Sequence, residues 1–240
     1  MRILVVSDIH GNRAALETVA AEPHDAVICL GDIVGYGPEP RACVEWVREH
    51  ATWVVQGNHD LANADDVSPR CQPNFAWLAD AVVPLTGAQL DDDHRSYLRG
   101  LPRWVVRDLG GVRIACFHAK PSDPLYGYMP SEPDAWSREL DKVEADLVLV
   151  GHTHQPLNLA IGARRLVNPG SVGQPKHGDP RAAYAVLVDG SPELRRREYG
   201  VQETTAALTR SSIDRGAVAV LSEMLRTGRA PGADAAAASR

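Results

Sequence analysis

Asp8, His10, Asp32, Asn58, His118, His152 and His154 are the residues of this chain whose types and positions can do chemistry. They offer carboxylate, amide and imidazole donors and no thiolate. Such a set suits a borderline divalent metal: Mn, Fe, Co, Ni or Zn. Seven ligands are too many for one tetrahedral zinc, which takes four. They suit two cations that share a ligand, and a carboxylate with two oxygens is the natural bridge. Two metals about 3.5–4 Å apart form the arrangement that activates water against phosphorus. The chemistry expected is therefore hydrolysis of a phosphate ester. Any one of these residues, met alone, reads as a loop acid or a core histidine. What sets them apart is where they fall.

Each stands just past an apolar run. Arg2–Val6 leads to Ser7-Asp8-Ile9-His10. Residues 26–30 end on Gly31-Asp32, where the glycine permits a turn that a larger residue resists. Residues 52–55 lead to Gln56-Gly57-Asn58-His59-Asp60, residues 112–117 to His118, and residues 147–150 to Gly151-His152-Thr153-His154. Short uncharged runs that stop at turn signals read as buried strands. The carboxyl ends of such strands are where open α/β sheets bind ligands.

The rest of the chain supplies the elements that hold these ends in place. Apolar positions after Gly11-Asn12 give a helix between the first two strands, a βαβ unit with parallel strands. Pro38-Glu39-Pro40 starts a second helix through about Glu49. From Leu61 to Gly100 the pattern reads as loop plus two helices, near 74–82 and 87–99, arching beside the site as a specificity segment. Asp91-Asp92-Asp93 within it reads as a solvated helix face. A hairpin turns at Gly110-Gly111. The loop 122–133, with Tyr126 and Tyr128, reads either as a substrate wall or as core packing. A helix near 134–142 precedes the strand at 147–150. Strand pairs follow at 157–161 with 164–167 and at 182–188 with 193–199, then a helix at 213–226. Residues 168–175 form a Pro/Gly turn that either braces the site or joins elements. His24, His50, His94 and His177 fall in no strand-end pattern and read as surface or core residues. One domain over residues 1–228 is expected, with a flexible tail over 229–240.

Composition narrows the function classes. A formal charge of −6 argues against a protein that grips nucleic acid through a basic field. Cys29, Cys43, Cys71 and Cys116 form no CxxC pair, and Cys29 and Cys116 fall inside strands as small core hydrophobes. No stretch approaches the roughly 18 apolar residues of a membrane span, and the first strand leaves no room for a signal peptide. The expectation is a cytoplasmic protein with a small phosphate-ester substrate, no membrane partner and no nucleic-acid partner. Nothing in the sequence fixes an oligomeric state.

The ordered set Asp8-x-His10, Gly31-Asp32, Gly57-Asn58-His59-Asp60, His118 and Gly151-His152-Thr153-His154 resembles the motifs of the calcineurin-like metallophosphoesterases. Gly31–Pro38 and Asn168–Pro175 resemble loops of that family's small bacterial phosphodiesterase branch. The resemblance implies an α/β fold of two packed mixed β-sheets flanked by helices, an α/β/β/α sandwich with the metals at the sheets' common edge. It implies that Asp8, His10, Asp32 and His154 hold one metal and Asp32, Asn58, His118 and His152 the other, with manganese the first expectation. A hydroxide bridging the two metals would then attack phosphorus directly. By the same resemblance His59 donates a proton to the leaving oxygen or binds phosphate. Asn12, which reads at least as well as the N-cap of the first helix, and Tyr36 are candidates for substrate contact. The protein-phosphatase relatives carry an Asp and an Arg where this chain has Gly35 and Tyr36, which argues against a phosphoprotein phosphatase, favours a diester or a small phosphate ester, and leaves open what orients His59, Asp60 being the neighbour to hand. A phosphomonoesterase or nucleoside-polyphosphate hydrolase is the alternative, and a non-catalytic metal-binding scaffold a further one.

Overall fold

Apolar runs without alternation demand burial on both faces, and the computed structural model meets that demand with two sheets packed face to face. It describes residues 1–128 and 132–230. The chain begins β1 (Arg2–Val6), α1 (Arg13–Ala20), β2 (Ala26–Cys29), α2 (Pro40–His50), β3 (Trp53–Val54) and α3 (Asn58–Asp65). It continues with α4 (Pro73–Gln89), α5 (Asp92–Gly100), the hairpin β4 (Trp104–Leu109) and β5 (Val112–Phe117), and α6 (Pro133–Leu140). Then come β6 (Leu147–Leu149), β7 (Leu157–Ile161), β8 (Arg164–Asn168), β9 (Ala182–Val188), β10 (Ser191–Arg197), α7 (Val201–Arg210) and α8 (Arg215–Thr227).

One five-stranded sheet has the order β10-β9-β1-β2-β3 and the other β4-β5-β6-β8-β7. Within each, three neighbouring strands run parallel: β1, β2 and β3 in the first, β5, β6 and β8 in the second. Strand parity sorts the core. Ile3, Val5, Ile28 and Leu30 pack between the sheets against Ile114, Cys116, Leu149 and Val167. Leu4, Val6, Val27 and Cys29 face the other way, onto Leu16, Val19, Val44 and Val47 of α1 and α2. On the far side Ala115, Phe117 and Val148 meet Trp136 and Leu140 of α6. The layering is helix, sheet, sheet, helix, as the resemblance implies.

Three helical expectations need correction. Residues from Leu61 were expected as loop, yet α3 already begins at Asn58. Its buried face is Asn58, His59, Asp60, Ala62 and Ala64, which carries no apolar stripe to read. The break expected between residues 82 and 87 is absent, and α4 runs on through Pro84. A mid-helix proline costs about 3 kcal/mol. Packing of Phe75, Leu78 and Val82 against Leu221, Met224 and Leu225 of α8 outweighs that cost. The chain breaks instead at Leu90, and Asp91 caps α5 through the His94 N–H. Helix α7 was not anticipated, because only Thr204 and Leu208 of it are buried. The expected tail lies, from residue 231 on, outside the described residues.

Buried Glu22, just past α1, ties that helix to the first sheet. Its carboxylate accepts hydrogen bonds from Arg2 (3.0 Å) of β1, Tyr184 (2.9 Å) of β9, and Arg195 (2.5 Å) and Arg197 (3.3 Å) of β10. Burial alone would raise its pKa. The Tyr184 hydroxyl and the three guanidiniums overcome that and hold it below the ordinary 4.5. A depressed carboxyl contributes stability above its unfolded pKa and loses it as pH falls through the folded one. Glu22→Gln should lower stability by on the order of 2 kcal/mol at neutral pH. The deficit should shrink towards zero as pH falls below about 4, as urea unfolding of both proteins would show.

Candidate metal centre

The parallel strands of both sheets deliver their carboxyl ends to one edge, and there the backbone leaves ordinary conformations. Asp8 (φ 52°), His10 (φ 48°), Asp32 (φ 53°), Tyr36 (φ 54°), His152 (φ 65°) and His154 (φ 58°) all occupy the left-handed region. That region is unfavourable for residues with a Cβ and persists only where surroundings over-determine it. Here the loops brace one another. The N–H of Asp8 donates to Gly31 O (3.0 Å), that of His10 to Asp32 O (2.9 Å), and that of Gly151 to His118 O (2.7 Å). The Asp60 carboxylate accepts from the backbone N–H of Gly57 (2.9 Å), Asp32 (2.8 Å), Ile33 (2.8 Å) and Val34 (3.3 Å). Gly57 must be glycine at this crossing, since a Cβ there would overlap the Asp32 nitrogen and Oδ1.

Two clusters of potential metal ligands result. In the first, His10 Nε2 lies 3.1 Å from His154 Nε2, which lies 3.3 Å from Asp8 Oδ1. In the second, His118 Nε2 lies 3.2 Å from His152 Nδ1 and 3.0 Å from Asn58 Oδ1. Asp32 Oδ2 stands between the clusters, 3.7 Å from His10 Nε2 and 3.4 Å from His118 Nε2. All seven residues are buried.

In every one of these residues except His152, whose Nε2 is buried without a hydrogen-bond partner, another polar atom is fastened to the protein, so that one donor is turned inward. Asp32 Oδ1 accepts from the His59 N–H (2.8 Å), leaving Oδ2 to the centre. Asp8 Oδ2 accepts from the Ser7 hydroxyl (2.6 Å) and the His152 N–H (3.1 Å), while Oδ1 is buried with no hydrogen-bond partner. Asn58 Nδ2 donates to Pro69 O (2.7 Å), turning Oδ1 inward. Nδ1–H donates to Val34 O in His10 (3.1 Å), to Leu30 O in His118 (2.8 Å) and to Gln174 O in His154. That fixes the tautomer and leaves each Nε2 with a lone pair aimed inward. Imidazole lone pairs this close repel unless a proton or a cation lies between them. Protons do not serve all four rings. Burial disfavours a charged His118, but Asp32 and Asp8 overcome this and raise it to about 9; burial pushes His10 down and His152 down to about 3. The donor set and the orphaned Asp8 oxygen fit two divalent cations.

The structure brings His59 to the same rim, although not as expected. Asp60 does not orient it, because both carboxylate oxygens are taken by backbone N–H groups. Its ring is held between His10 (5.0 Å between centroids) and Tyr36 (4.7 Å), and Gly35 leaves the space its Nδ1 occupies. Tyr36 is buried against both rings and lines the pocket. Asn12 does not reach the site. Its Oδ1 caps α1 at Ala15 N (3.2 Å) and accepts from the Thr204 hydroxyl (2.8 Å), and its Nδ2 donates to Gly173 O (2.9 Å) and Tyr199 OH (3.1 Å). Tyr128 is exposed and its ring centroid stands 4.2 Å from that of His152, whereas Leu125 of the same loop is buried in the core. The turn at residues 168–175 is a brace: Ser171 Oγ donates to Asp8 O (2.7 Å), and Gln174 O receives His154. Among the described residues, His24, His50, His94 and His177 belong to neither cluster.

Lys176 was missed. Its ammonium lies over Phe75 (4.2 Å) and Tyr36 (5.6 Å) and 3.5 Å from His154 Nε2. Burial pulls it down to about 8, partly offset by Asp8 and Asp32, so it stays mainly protonated at neutral pH. A lysine after a Pro/Gly turn carries no pattern; only the fold shows that the turn returns to the metal edge.

Residues 1–190 match the calcineurin-like phosphoesterase superfamily domain. The chain belongs to that superfamily. A metallophosphoesterase from Sphaerobacter thermophilus is 34% identical, with a TM-score of 0.80 over 95% of this chain and 99% of that one. A hypothetical protein from Pyrococcus horikoshii, 22% identical over 92% of this chain and 97% of its own, shares the fold with a TM-score of 0.79. An uncharacterized protein of Methanocaldococcus jannaschii is 30% identical over 235 residues, 88% of this chain and 93% of its own. Membership of the calcineurin-like superfamily implies hydrolysis of phosphate esters with the help of divalent metals. No helix among the described residues is long and apolar enough to cross a membrane.

Asp32→Asn and Asp8→Ala should each lose metal. Elemental analysis of the purified variants should give well under the content of the unaltered protein, with Asp32→Asn losing from both positions; full content in either would refute the placement.

Proposed function

We propose that this calcineurin-like protein is a dinuclear metal-dependent phosphodiesterase in which water attacks phosphorus directly, with no covalent phospho-enzyme. The observation that carries this reading is the inward convergence of three Nε2 atoms, His152 Nδ1, Asn58 Oδ1 and the free oxygens of Asp8 and Asp32 on two neighbouring points. Asp8, His10, Asp32 and His154 hold one cation, and Asp32, Asn58, His118 and His152 the other, with Asp32 shared. Manganese is the first candidate. When bound, two divalent cations neutralise phosphoryl oxygens and acidify water towards neutral pH.

The chain's own residues set the rest. Burial lowers the His59 imidazole to about 4, opposed by Asp32 and aided by Lys176, so the ring is neutral at neutral pH. A neutral imidazole at the rim donates a hydrogen bond to the leaving or phosphoryl oxygen. Tyr36 and Tyr128 wall the pocket on either side of the ligand clusters. Gly35 and Tyr36 stand where the protein phosphatases carry the charged pair that clamps a dianion, which favours the singly charged diester. Among the described residues no helix is long and apolar enough to cross a membrane, and the four cysteines are free, which supports the reading of a cytoplasmic enzyme.

A second reading, a phosphomonoesterase or nucleoside-polyphosphate hydrolase, is favoured by Lys176. Its ammonium supplies one cation in the pocket, and a dianionic phosphate gains more from it than a diester does. The two readings part experimentally. Metal-stripped protein reloaded with Mn²⁺ should turn over bis(p-nitrophenyl) phosphate faster than p-nitrophenyl phosphate. His59→Ala should keep its metal and lose about 10²-fold in rate on a diester with a poor leaving group. Lys176→Met should raise KM for the monoester by about tenfold and that for the diester by less. Monoester preference that collapses in Lys176→Met would establish the second reading.

A further inference from the structure

Lys176 stands at the metal edge without an acidic partner. Among the described residues its ammonium has one polar contact, His154 Nε2 at 3.5 Å. That nitrogen belongs to the first ligand cluster, and a bound cation takes its lone pair. Asp8 and Asp32 act on the ammonium through space, but their free oxygens face the clusters. What remains to hold Lys176 is aromatic. The ring of Phe75 lies 4.2 Å from the ammonium and that of Tyr36 5.6 Å, and both rings are buried. A cation is attracted to a ring face at such separations, most strongly where water is excluded. Phe75, Tyr36 and Lys176 all line the pocket that holds Asp32 and His154. Of the chain's 25 lysines and arginines, only Lys120, Lys142 and Lys176 are lysine. A compact ammonium keeps its charge at one point between two rings, whereas a planar guanidinium spreads over one of them.

We propose that Phe75 is a positioning residue: its ring holds the Lys176 ammonium at the metal edge, so that the ammonium meets a phosphoryl oxygen of the substrate. The inference rests on the reading that the phosphoryl group binds at this edge, and it applies to a diester and a monoester alike. Two divalent cations beside Lys176 repel its charge and would drive the flexible side chain outward. The ring faces oppose that push without neutralising the ammonium, as a carboxylate would. The charge therefore stays available to an anion. Phe75 suits the task because it sits in the first turn of α4, and that helix is anchored on Leu221, Met224 and Leu225 of α8. A group placed by a packed helix is held more closely than one placed by a loop. If Phe75 served only to pack α4 on α8, its loss would cost stability and leave Lys176 where it is.

Two measurements on the Zn²⁺-loaded protein test this. In protein labelled with ¹³C-lysine, the side-chain CH₂ protons next to the Lys176 nitrogen should resonate upfield of those of half-exposed Lys142, because they lie over a ring. Phe75→Leu and Phe75→Met, which keep the position apolar, should move that signal back towards Lys142, and Phe75→Tyr should not. Inorganic phosphate is then titrated calorimetrically. Phe75→Leu and Phe75→Met should weaken its binding about tenfold with zinc content unchanged, and Phe75→Tyr should retain it. Added to Lys176→Met, Phe75→Leu should cost nothing further, since the two residues act as one unit. Wild-type affinity in Phe75→Leu, losses that add, or a loss that Phe75→Tyr fails to restore overturns the proposal. So does a Lys176 signal without the upfield shift, which is read on the unaltered protein and needs no variant to fold. If the unaltered, zinc-loaded protein binds no phosphate, the reading of the metal edge as a phosphoryl site falls as well.

Discussion

One carboxylate clasps two loops together. Asp60 accepts N–H groups from Gly57 on its own loop and from Asp32, Ile33 and Val34 on the loop after β2. That clasp presses Gly57 onto Asp32 so closely that no side chain fits between them. It also brings the His59 N–H to Asp32 Oδ1, so that only the other oxygen is free. The geometry of the Asp32 carboxylate, which stands between the two clusters, is thus fixed by backbone neighbours. If the Asp60 side chain were cut back to alanine, these four N–H groups would lose their acceptor, and the position of Asp32 would drift with them.

The same economy recurs around the centre. Asp8, Asn58, His10, His118 and His154 each spend one polar atom on the protein frame and leave one facing inward. Six side chains there sit on left-handed backbone, each costing of order 1–3 kcal/mol. The apolar layers on both faces of both sheets oppose that strain, because relaxing a loop would pull a strand end out of a close-packed core. Function here is a local defect held by a large regular structure.

Much of this was legible beforehand for a physical reason. Strands buried on both faces read as continuous apolar runs, and the residue types at their carboxyl ends are chemically distinctive. Asp8, Asp32, Asn58 and His118 therefore announce themselves. Helix α3 hides because its inward face is built of site residues instead of apolar ones. Pro84 misleads because tertiary packing on α8 overrides a local rule. Asp60 reads as a partner for His59 by adjacency, whereas the helix turns it towards the backbone of a different loop. Lys176 reaches the site by three-dimensional return of the chain, which no local pattern encodes.

The order of the first sheet has a consequence for biosynthesis. β1 sits between β2, which follows it closely, and β9, which is made some 180 residues later. On a ribosome β1 emerges well before β9 and waits, one edge unpaired, until residues 182–188 appear. Pairings so distant in sequence are slow to form and leave apolar strands exposed meanwhile. Asp8 is translated some 160 residues before the loop that braces it, at Ser171 to Gly173. Until that loop has been made, a nascent chain has no finished binding centre to load.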